Sequence, residues 1–341
     1  MDLAELTTLG VGGPARELLS AGTSDELVET AFSVWASGEE WLALGGGSNL
    51  VVGDDGFDGS VIRILTSGID RIAADPSGVV RLRVQAGEPW DDLVAFSVVN
   101  GLSGIEALSG IPGSSGAAPI QNIGAYGQEL ADTLVAVEYL DYLTGSIDRI
   151  PTAELGLGYR TSAFKRGRRG IVVSIELDLA DDGALSRPVA YQQLATALGV
   201  EQGDRVPVGR VRDAVLALRA AKGMLLDPAD PDAASAGSFF TNPIVGESFA
   251  RGLPWDSPRW PVEPDLVKLS AAWLIERAGI GKGFSLPGSR AAISSKHSLA
   301  IVNRGGAKAA DVTELARFVQ ERVRNQFGVS LQPEPVYVGL E

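Results

Sequence analysis

The chain has 341 residues, 45% of them hydrophobic and 21% charged, with a formal net charge of −14. This composition is typical of a globular protein. The length predicts two or three lobes, because single domains cluster near ~100–200 residues. The negative charge argues against nucleic acid or an anionic membrane surface as a partner. With no cysteine and one histidine, disulfides, thiolate nucleophiles, iron–sulfur clusters and multi-histidine metal centres are excluded, which favours chemistry supplied by a bound organic cofactor.

The first two thirds of the chain predict a mixture of helices and strands. Thr23 and Glu26 form a capping-box pattern, and the apolar residues that follow at helical spacing predict a helix over 24–36 that packs on a sheet. Periodicity and glycine or proline stops predict the further elements. These are strands at 41–44, 50–52 and 79–86, a helix at 89–100, strands at 133–143 and 171–179, and a helix at 209–221 with Gly223 as its cap.

Residues 101–127 have little periodicity and a glycine every few residues, and loops of this length are usually functional or disordered. Interspersed isoleucines and leucines favour an ordered loop. The acidic, proline-rich stretch at 226–232 predicts a lobe boundary. Beyond it we expect a smaller lobe with a helix at 270–278, a strand at 299–303, a helix at 308–327 and a last strand at 336–338.

Nothing in the sequence predicts export or membrane insertion. Residues 1–5 show no basic region followed by an apolar run, and no stretch approaches the ~18–20 apolar residues of a membrane helix. We therefore expect a cytoplasmic protein.

Two glycine-rich segments could bind an anion through backbone N–H groups. The sequence GGGSN at 45–49 could cradle a pyrophosphate, although it is neither a Walker loop nor a Rossmann fingerprint. The segment 110–116 is a second candidate, and the amides of 121–126 suit the edge of a heteroaromatic ring. A plain tight turn and a glycine-rich surface loop remain the alternative interpretations.

Other candidates carry side-chain chemistry. Ser238 lies between Gly237 and two phenylalanines but lacks the hydrolase G-x-S-x-G pattern, so a hydrogen-bonded turn serine is the alternative. Arg160 and Lys222 could hold a carboxylate and a diphosphate, or be surface charges. Glu334, between two prolines, is either held in a stiff extended segment for function or is an ordinary exposed carboxylate.

In this order the segments resemble the UDP-N-acetylenolpyruvoylglucosamine reductases, FAD enzymes that make UDP-N-acetylmuramic acid for bacterial peptidoglycan. The resemblance runs through nearly the whole chain, and the joint pattern is specific where each piece is not. It is carried by the sequences TTL at 7–9, GGGSN at 45–49, SGIPGSSGAAPIQNIGAYG at 109–127, GYRTSAFK at 158–165, LDPADPDAASAGSFFTNP at 226–243 and LQPEPV at 331–336.

The resemblance implies an α+β fold: a two-lobed FAD-binding fold of the vanillyl-alcohol-oxidase or PCMH type, followed by a C-terminal α+β substrate-binding domain. The expected boundaries are FAD-binding subdomains at 1–66 and 67–225, a substrate-binding domain at 226–330, and a C-terminal strand at 331–341 that carries Glu334. The resemblance also implies a monomer, a UDP-sugar substrate, NADPH as hydride donor and no metal.

The same resemblance assigns roles to individual residues. Ser238 matches the proton donor, and Arg160 and Glu334 match the other two catalytic positions. Substrate contacts are implied for Tyr159, Tyr191, Lys222 and Asn242. Non-covalent FAD binding is implied for Gly45, Gly46, Gly47, Ser48, Asn49, Leu50, Gly110, Ile111, Pro112, Gly113, Ser114, Ser115, Gly116, Gln121, Asn122, Gly124, Ala125, Tyr126 and Arg219.

The implied reaction transfers hydride from reduced flavin to the enolpyruvyl group, after which Ser238 protonates the carbon beside the carboxylate. Arg160 would stabilise the developing enolate, and Glu334 would orient the group or relay the proton. His297 lies where the family varies and receives no catalytic role. Two alternatives remain: another FAD oxidase or dehydrogenase of this fold, and a non-catalytic flavin-binding or nucleotide-binding module.

Overall fold

The computed structural model describes residues 1–73 and 78–340. The chain divides into two compact units, each built from more than one segment. Unit 1 consists of Met1–Pro14, Ser48–Phe57 and Lys222–Glu341, and unit 2 consists of Ala15–Gly47 and Asp58–Ala221.

The described residues contain both helices and strands, which confirms the predicted mixed class. The helices are α1 Ser24–Ala36, α2 Trp90–Val99, α3 Gln192–Leu198, α4 Val208–Ala220, α5 Glu247–Ala250, α6 Ala271–Arg277 and α7 Ala309–Phe327. The strands are β1 Ala15–Ala21, β2 Trp41–Leu44, β3 Leu50–Val52, β4 Phe57–Ile64, β5 Ile69–Ile72, β6 Val79–Gln85, β7 Leu102–Ser103, β8 Gly124–Ala125, β9 Gln128–Glu129, β10 Leu134–Asp141, β11 Ile147–Pro151, β12 Gly170–Asp181, β13 Ile244–Gly246, β14 Arg259–Glu263, β15 Leu266–Leu269, β16 Ala291–Ile293, β17 Ile301–Asn303 and β18 Val336–Val338.

The main sheet of unit 2 is antiparallel, with strand order β11-β10-β12-β6-β5 and β7 paired to β12. Leu82 and Val84 of β6 are buried as the alternating pattern predicts, and they share a core with Trp90 and Leu93 of α2. Strand β12 is covered on both faces. Its central Glu176 is only 2% exposed and pairs with Arg83 of the adjacent strand β6 and Arg149 of β11, as a buried carboxylate requires.

A smaller sheet of unit 2, with strand order β1-β4-β2, packs with α1. The predicted capping box is present, since Thr23 Oγ1 accepts the Glu26 N–H and the Glu26 side chain accepts the Thr23 N–H. Leu27 and Ala31 of α1 bury against Ile62 of β4, so the predicted packing of this helix on a sheet is confirmed.

Unit 1 is built around α7, whose apolar stripe packs on the hairpin of β16 and β17. Strands β13, β15 and β14 form a separate antiparallel sheet. Strand β18 pairs in parallel with β3, so that Val336 lies opposite Leu50 although 286 positions separate them along the chain. This pairing places the chain segment around Glu334 beside the segment that contains Asn49.

The predicted helices and strands are confirmed within one or two residues at their ends, which is the usual variation of element boundaries. One detail differs: α4 is capped at Ala221, and Gly223 lies two residues beyond the cap with φ 65°. Several elements were not predicted, among them β1, β4 and α3. In the part of the chain that the structure describes, no helix is both long and apolar enough to span a membrane.

Candidate active site

Residues 45–47 of the first glycine-rich segment predicted to bind an anion lie against the second segment, 110–116, in unit 2. A Cβ added at Gly46 would come within 2.7 Å of the Gly113 Cα, and one at Gly45 would collide with the Ser114 hydroxyl. Backbone therefore meets backbone at a distance that only glycine allows. The sequence predicts both segments, and the structure brings them together.

The loop at 110–116 is fixed by backbone hydrogen bonds to the end of β6 and the start of α2. Gly116 N–H donates to Ala86 O at 2.8 Å, and Trp90 N–H donates to Gly113 O at 3.0 Å. A Cβ at Gly116 would lie 2.5 Å from the Ala86 Cβ. This packing keeps the loop ordered, as its interspersed apolar residues predict.

Gly110 is held from both sides by charged groups. Its N–H donates to Asp91 Oδ1 at 2.6 Å, and its carbonyl accepts from Arg219 Nε at 3.1 Å. Arg219 lies on the inner face of α4 and is 6% exposed, so burial lowers the pKa of its guanidinium. Arg212, about two turns earlier on the same side of α4, forms a bidentate ion pair with Asp91.

Ser115 supports the interpretation of this region as a ligand site. Its hydroxyl is fully buried and has no hydrogen-bond partner among the residues that the structure describes. A buried hydroxyl without a partner is costly, and such groups in native proteins call for an explanation such as an ordered water, an ion or a ligand. The glycine contact and this hydroxyl together fit a group that brings hydrogen-bonding oxygens, as the pyrophosphate of a dinucleotide does.

The segment 121–126 is tied to Arg160. The Arg160 guanidinium donates to Asn122 O at 3.3 Å and to Gly124 O at 2.7 Å. The Asn122 side chain in turn donates to Glu129 and to Gly158 O and accepts the Ala131 N–H. This network fixes the guanidinium beside the predicted ring-binding amides, while Gln121 accepts a hydrogen bond from Lys165 at 3.3 Å.

Three non-glycine residues of this region have left-handed backbone. The φ angles are 48° at Asn122, 48° at Tyr126 and 53° at Arg160. Such residues cost of order 1–3 kcal/mol each and cluster at functional sites. Their concentration around one arginine makes this part of unit 2 a candidate site.

Three predicted tyrosines also lie in unit 2. The rings of Tyr126 and Tyr191 meet edge to face with centroids 5.9 Å apart, and burial raises the pKa of the Tyr126 phenol. Tyr191 is 46% exposed at the start of α3, where a side chain can reach solvent or a ligand. Tyr159 carries the Arg160 guanidinium over its ring at 5.7 Å.

Ser238 belongs to unit 1, and the residue after it, Phe239, forms backbone hydrogen bonds with two other segments. Phe239 N–H donates to Leu299 O at 2.7 Å, and Phe239 O accepts the Glu334 N–H at 2.9 Å. The rings of Phe239 and Phe240 are buried in the core of this unit. The structure therefore brings two of the predicted catalytic residues, Ser238 and Glu334, onto neighbouring segments.

The remaining predicted residues of unit 1 include Asn49, Leu50, Lys222 and Asn242. The Asn49 side chain donates to Glu334 O at 3.3 Å, and Leu50 begins β3. Asn242 accepts the N–H of Ala271 at the start of α6, while Lys222 begins the C-terminal segment of the unit. Both have half-buried side chains.

His297 lies beside Ser238, a contact that the sequence does not predict. Its Nε2 lies 3.5 Å from the Ser238 Oγ, at the outer limit of a hydrogen bond. The sequence signal was only that His297 is the single histidine of the chain. Its partner comes from a segment 59 positions away, and periodicity does not predict such a contact.

Comparison with known proteins gives two family models and several similar chains. Residues 228–338 match the UDP-N-acetylenolpyruvoylglucosamine reductase C-terminal domain, and residues 16–150 match an FAD binding domain. The UDP-N-acetylenolpyruvoylglucosamine reductase of Leifsonia xyli is 60% identical, covering 99% of this chain and 98% of the relative, and that of Thermobifida fusca is 50% identical, covering 99% and 97%. The crystal structure of UDP-N-acetylenolpyruvylglucosamine reductase from Thermus caldophilus is similar with a TM-score of 0.66 and 31% identity, covering 99% of this chain and 97% of that one.

Proposed function

This chain belongs to the UDP-N-acetylenolpyruvoylglucosamine reductase family, and on that premise we propose that Ser238 donates the proton that completes the reduction of its substrate. Family membership makes the chain an FAD-dependent oxidoreductase of peptidoglycan precursor synthesis. The substrate in this proposal is UDP-N-acetylglucosamine enolpyruvate, the product is UDP-N-acetylmuramate, and NADPH is the hydride donor.

FAD, when bound, supplies the hydride transfer that no side chain of the protein can perform. We propose that the contacting glycine segments hold its diphosphate without a covalent bond, with Ser115 as one hydrogen-bond donor. The other residues proposed to bind it are Gly45, Gly46, Gly47, Ser48, Asn49, Leu50, Gly110, Ile111, Pro112, Gly113, Ser114, Gly116, Gln121, Asn122, Gly124, Ala125, Tyr126 and Arg219.

The observation that carries the proposal is the fixed position of Ser238. The backbone of the next residue, Phe239, pairs with Leu299 and Glu334, and its ring is buried, so the backbone that carries Ser238 is fixed. Reduction leaves negative charge on the carbon beside the substrate carboxylate, and this carbanion is a base strong enough to take a proton from a serine hydroxyl. A fixed acid within reach of such a carbon contributes about 10²–10⁴-fold to the rate.

Arg160 is proposed to stabilise the enolate that forms before protonation. Its guanidinium is already oriented by two backbone carbonyls, so little reorganisation is needed when charge develops. A donor of this kind is worth about 3–4 kcal/mol in a dry site. Tyr159, Tyr191, Lys222 and Asn242 are proposed to contact the substrate.

Glu334 is proposed to orient the enolpyruvyl group or to relay the proton. Its backbone is paired to Phe239 and receives the Asn49 side chain, which fixes the start of its side chain on the segment next to Ser238. The two prolines on either side restrict the backbone further.

Three broader expectations remain proposals. We propose that the enzyme works in the cytoplasm, where nucleotide sugars and NADPH are available. We also propose that it is a monomer. We also propose that residues 1–66 and 67–225 act as FAD-binding subdomains, residues 226–330 as the substrate-binding domain and residues 331–341 as a C-terminal catalytic strand.

The test compares the two half-reactions of the Ser238→Ala enzyme. We expect flavin reduction by NADPH at the normal rate and reoxidation by the enolpyruvyl sugar slowed by about 10²–10⁴-fold, because only the second step needs the proton. Stopped-flow absorbance of the flavin measures both rates. Ser285→Ala, which changes an exposed serine of the same unit, is the matched control. Equal slowing of both half-reactions would contradict the role of Ser238.

A further inference from the structure

The environment of Ser238 contains one group whose role the proposed reaction leaves open, the imidazole of His297. Its Nε2 lies 3.5 Å from Ser238 Oγ, and both side chains are half-buried. Hydrogen bonds of catalytic groups are often this long without substrate and shorten when it binds. The contact is within unit 1, between segments that are also joined through the backbone of Phe239 and Leu299.

The turn that carries His297 is anchored by a buried carboxylate. Asp232 is 3% exposed and its Oδ2 accepts hydrogen bonds from Ser294 Oγ, Ser295 N–H and Ser295 Oγ. Ser294 Oγ in turn accepts the backbone N–H of His297 at 3.1 Å. The backbone of the histidine is therefore fixed independently of Ser238.

A serine that acts as an acid must direct its only hydrogen at the substrate. If Ser238 donated that hydrogen to Nε2, none would remain for the carbanion. If Nε2–H donates to Ser238 Oγ, the serine hydrogen is left for the substrate. The same N–H then stabilises the alkoxide that remains after proton transfer, by a charge-assisted hydrogen bond.

We propose that His297 is a positioning residue whose Nε2–H donates to Ser238 Oγ, orienting the hydroxyl towards the substrate and stabilising the alkoxide. This inference rests on the proposed role of Ser238 as proton donor. In the step, the Oγ–H bond of Ser238 breaks, a C–H bond forms at the substrate carbon, and the electron pair of the broken bond stays on Oγ. Water returns the proton to the alkoxide between turnovers.

The test uses two amides that differ in reach. In His297→Gln the amide nitrogen occupies about the place of Nε2, whereas in His297→Asn it ends near the place of Nδ1 and cannot reach Ser238. We expect His297→Gln to reoxidise the flavin with the enolpyruvyl sugar within about 5-fold of the normal rate and His297→Asn to be slowed by about 10–100-fold, while NADPH reduces the flavin at the normal rate in both.

A double variant separates positioning from any other role of the histidine. Ser238→Ala removes the group on which His297 acts, so adding His297→Asn to it should slow reoxidation no further. An additive loss in the double variant, or equal rates for the Gln and Asn variants, would overturn the proposal. If Ser238→Ala itself left reoxidation unchanged, the proposed function would fail instead, and the two failures are therefore distinguishable.

Discussion

The two regions to which chemistry is assigned are constructed in opposite ways. In unit 2 the segments at 45–47 and 110–116 approach through backbone, and Gly46 meets Gly113 where any side chain would collide. In unit 1 Ser238 and Glu334 lie on neighbouring segments joined through the backbone of Phe239, and His297 lies on a turn with its Nε2 3.5 Å from Ser238 Oγ. The first region depends on glycines that have no side chain, so adding a methyl group there should impair it. The second depends on side-chain groups, so removing a hydroxyl there should impair it.

The largest effect is expected from adding one carbon to the glycine contact. In Gly46→Ala the new Cβ would lie 2.7 Å from the Gly113 Cα, and backbone must shift to relieve the overlap. We expect the purified protein to lose most of its flavin, which the absorbance spectrum and the FAD-to-protein ratio measure. Because the shift separates the two anion-binding segments, added FAD should restore the flavin only partly.

Gly209→Ala is the matched control for that change. Gly209 lies in α4 of the same unit, and a Cβ there meets nothing within 4 Å. Alanine in a helix is favoured over glycine by about 0.5–1 kcal/mol, so this variant should keep its flavin and melt at a slightly higher temperature. Full flavin retention by Gly46→Ala would refute the view that this region works by close backbone approach.

The next effect tests whether unit 2 also depends on a side chain. Arg160→Lys keeps a positive charge but loses the forked contact with Asn122 O and Gly124 O. We expect reoxidation by the enolpyruvyl sugar to slow by about 10²–10³-fold, since a misplaced donor stabilises the enolate poorly. Stopped-flow measurement of the flavin gives this rate, and a lysine enzyme within about 3-fold of normal would show that charge alone suffices.

The smallest effect concerns the carboxylate beneath the glycine loop. Burial alone would raise the pKa of Asp91, but hydrogen bonds from Arg212 and the Gly110 N–H outweigh it and lower that pKa below its usual value. A lowered carboxyl pKa in the folded state adds stability above the unfolded value of ~3.9 and loses it as the pH falls further. Asp91→Asn should therefore reduce the free energy of unfolding by only about 1 kcal/mol at pH 7, because solvent screens this partly exposed ion pair.

Urea unfolding at pH 7 and pH 3 measures this difference. The gap between the normal protein and Asp91→Asn should narrow at pH 3, because the carboxyl of the unfolded normal chain is then mostly protonated. A gap that stays constant with pH would mean that Asp91 supports Gly110 by shape and not by charge. The result sharpens the comparison between the two regions, because it measures how much the loop at 110–116 depends on the ion pair of Asp91 and Arg212.

The sequence predicts the regular elements of this fold well where local chemistry specifies them. Thr23 and Glu26 predict the start of α1, and the stripe of apolar residues in 308–327 predicts α7. Capping and periodicity are visible in the sequence because they act over a few residues. Strands β1 and β4 are not predicted, although they have seven and eight residues, because buried and exposed residues do not alternate regularly along them.

The candidate site shows the same division. The glycine segments and Ser238 are predicted from sequence, the latter's role only through family resemblance. The contact of Gly46 with Gly113 and that of Ser238 with His297 need the folded chain, since residues 67 and 59 positions apart have no local signal of proximity. His297 receives no catalytic role from the sequence because it lies where the family varies, and an isolated histidine in a sequence does not indicate its neighbour in space.

The parallel pairing of β3 with β18 bears on how the protein is made. On the ribosome, residues 50–52 emerge early, but their partner at 336–338 follows only when almost all of the chain has been translated. Unit 2 draws its segments from residues 15–221 and can begin to fold while synthesis continues. Unit 1 must wait, and its early segment remains without its strand partner throughout elongation, a period in which a chaperone would have most to protect.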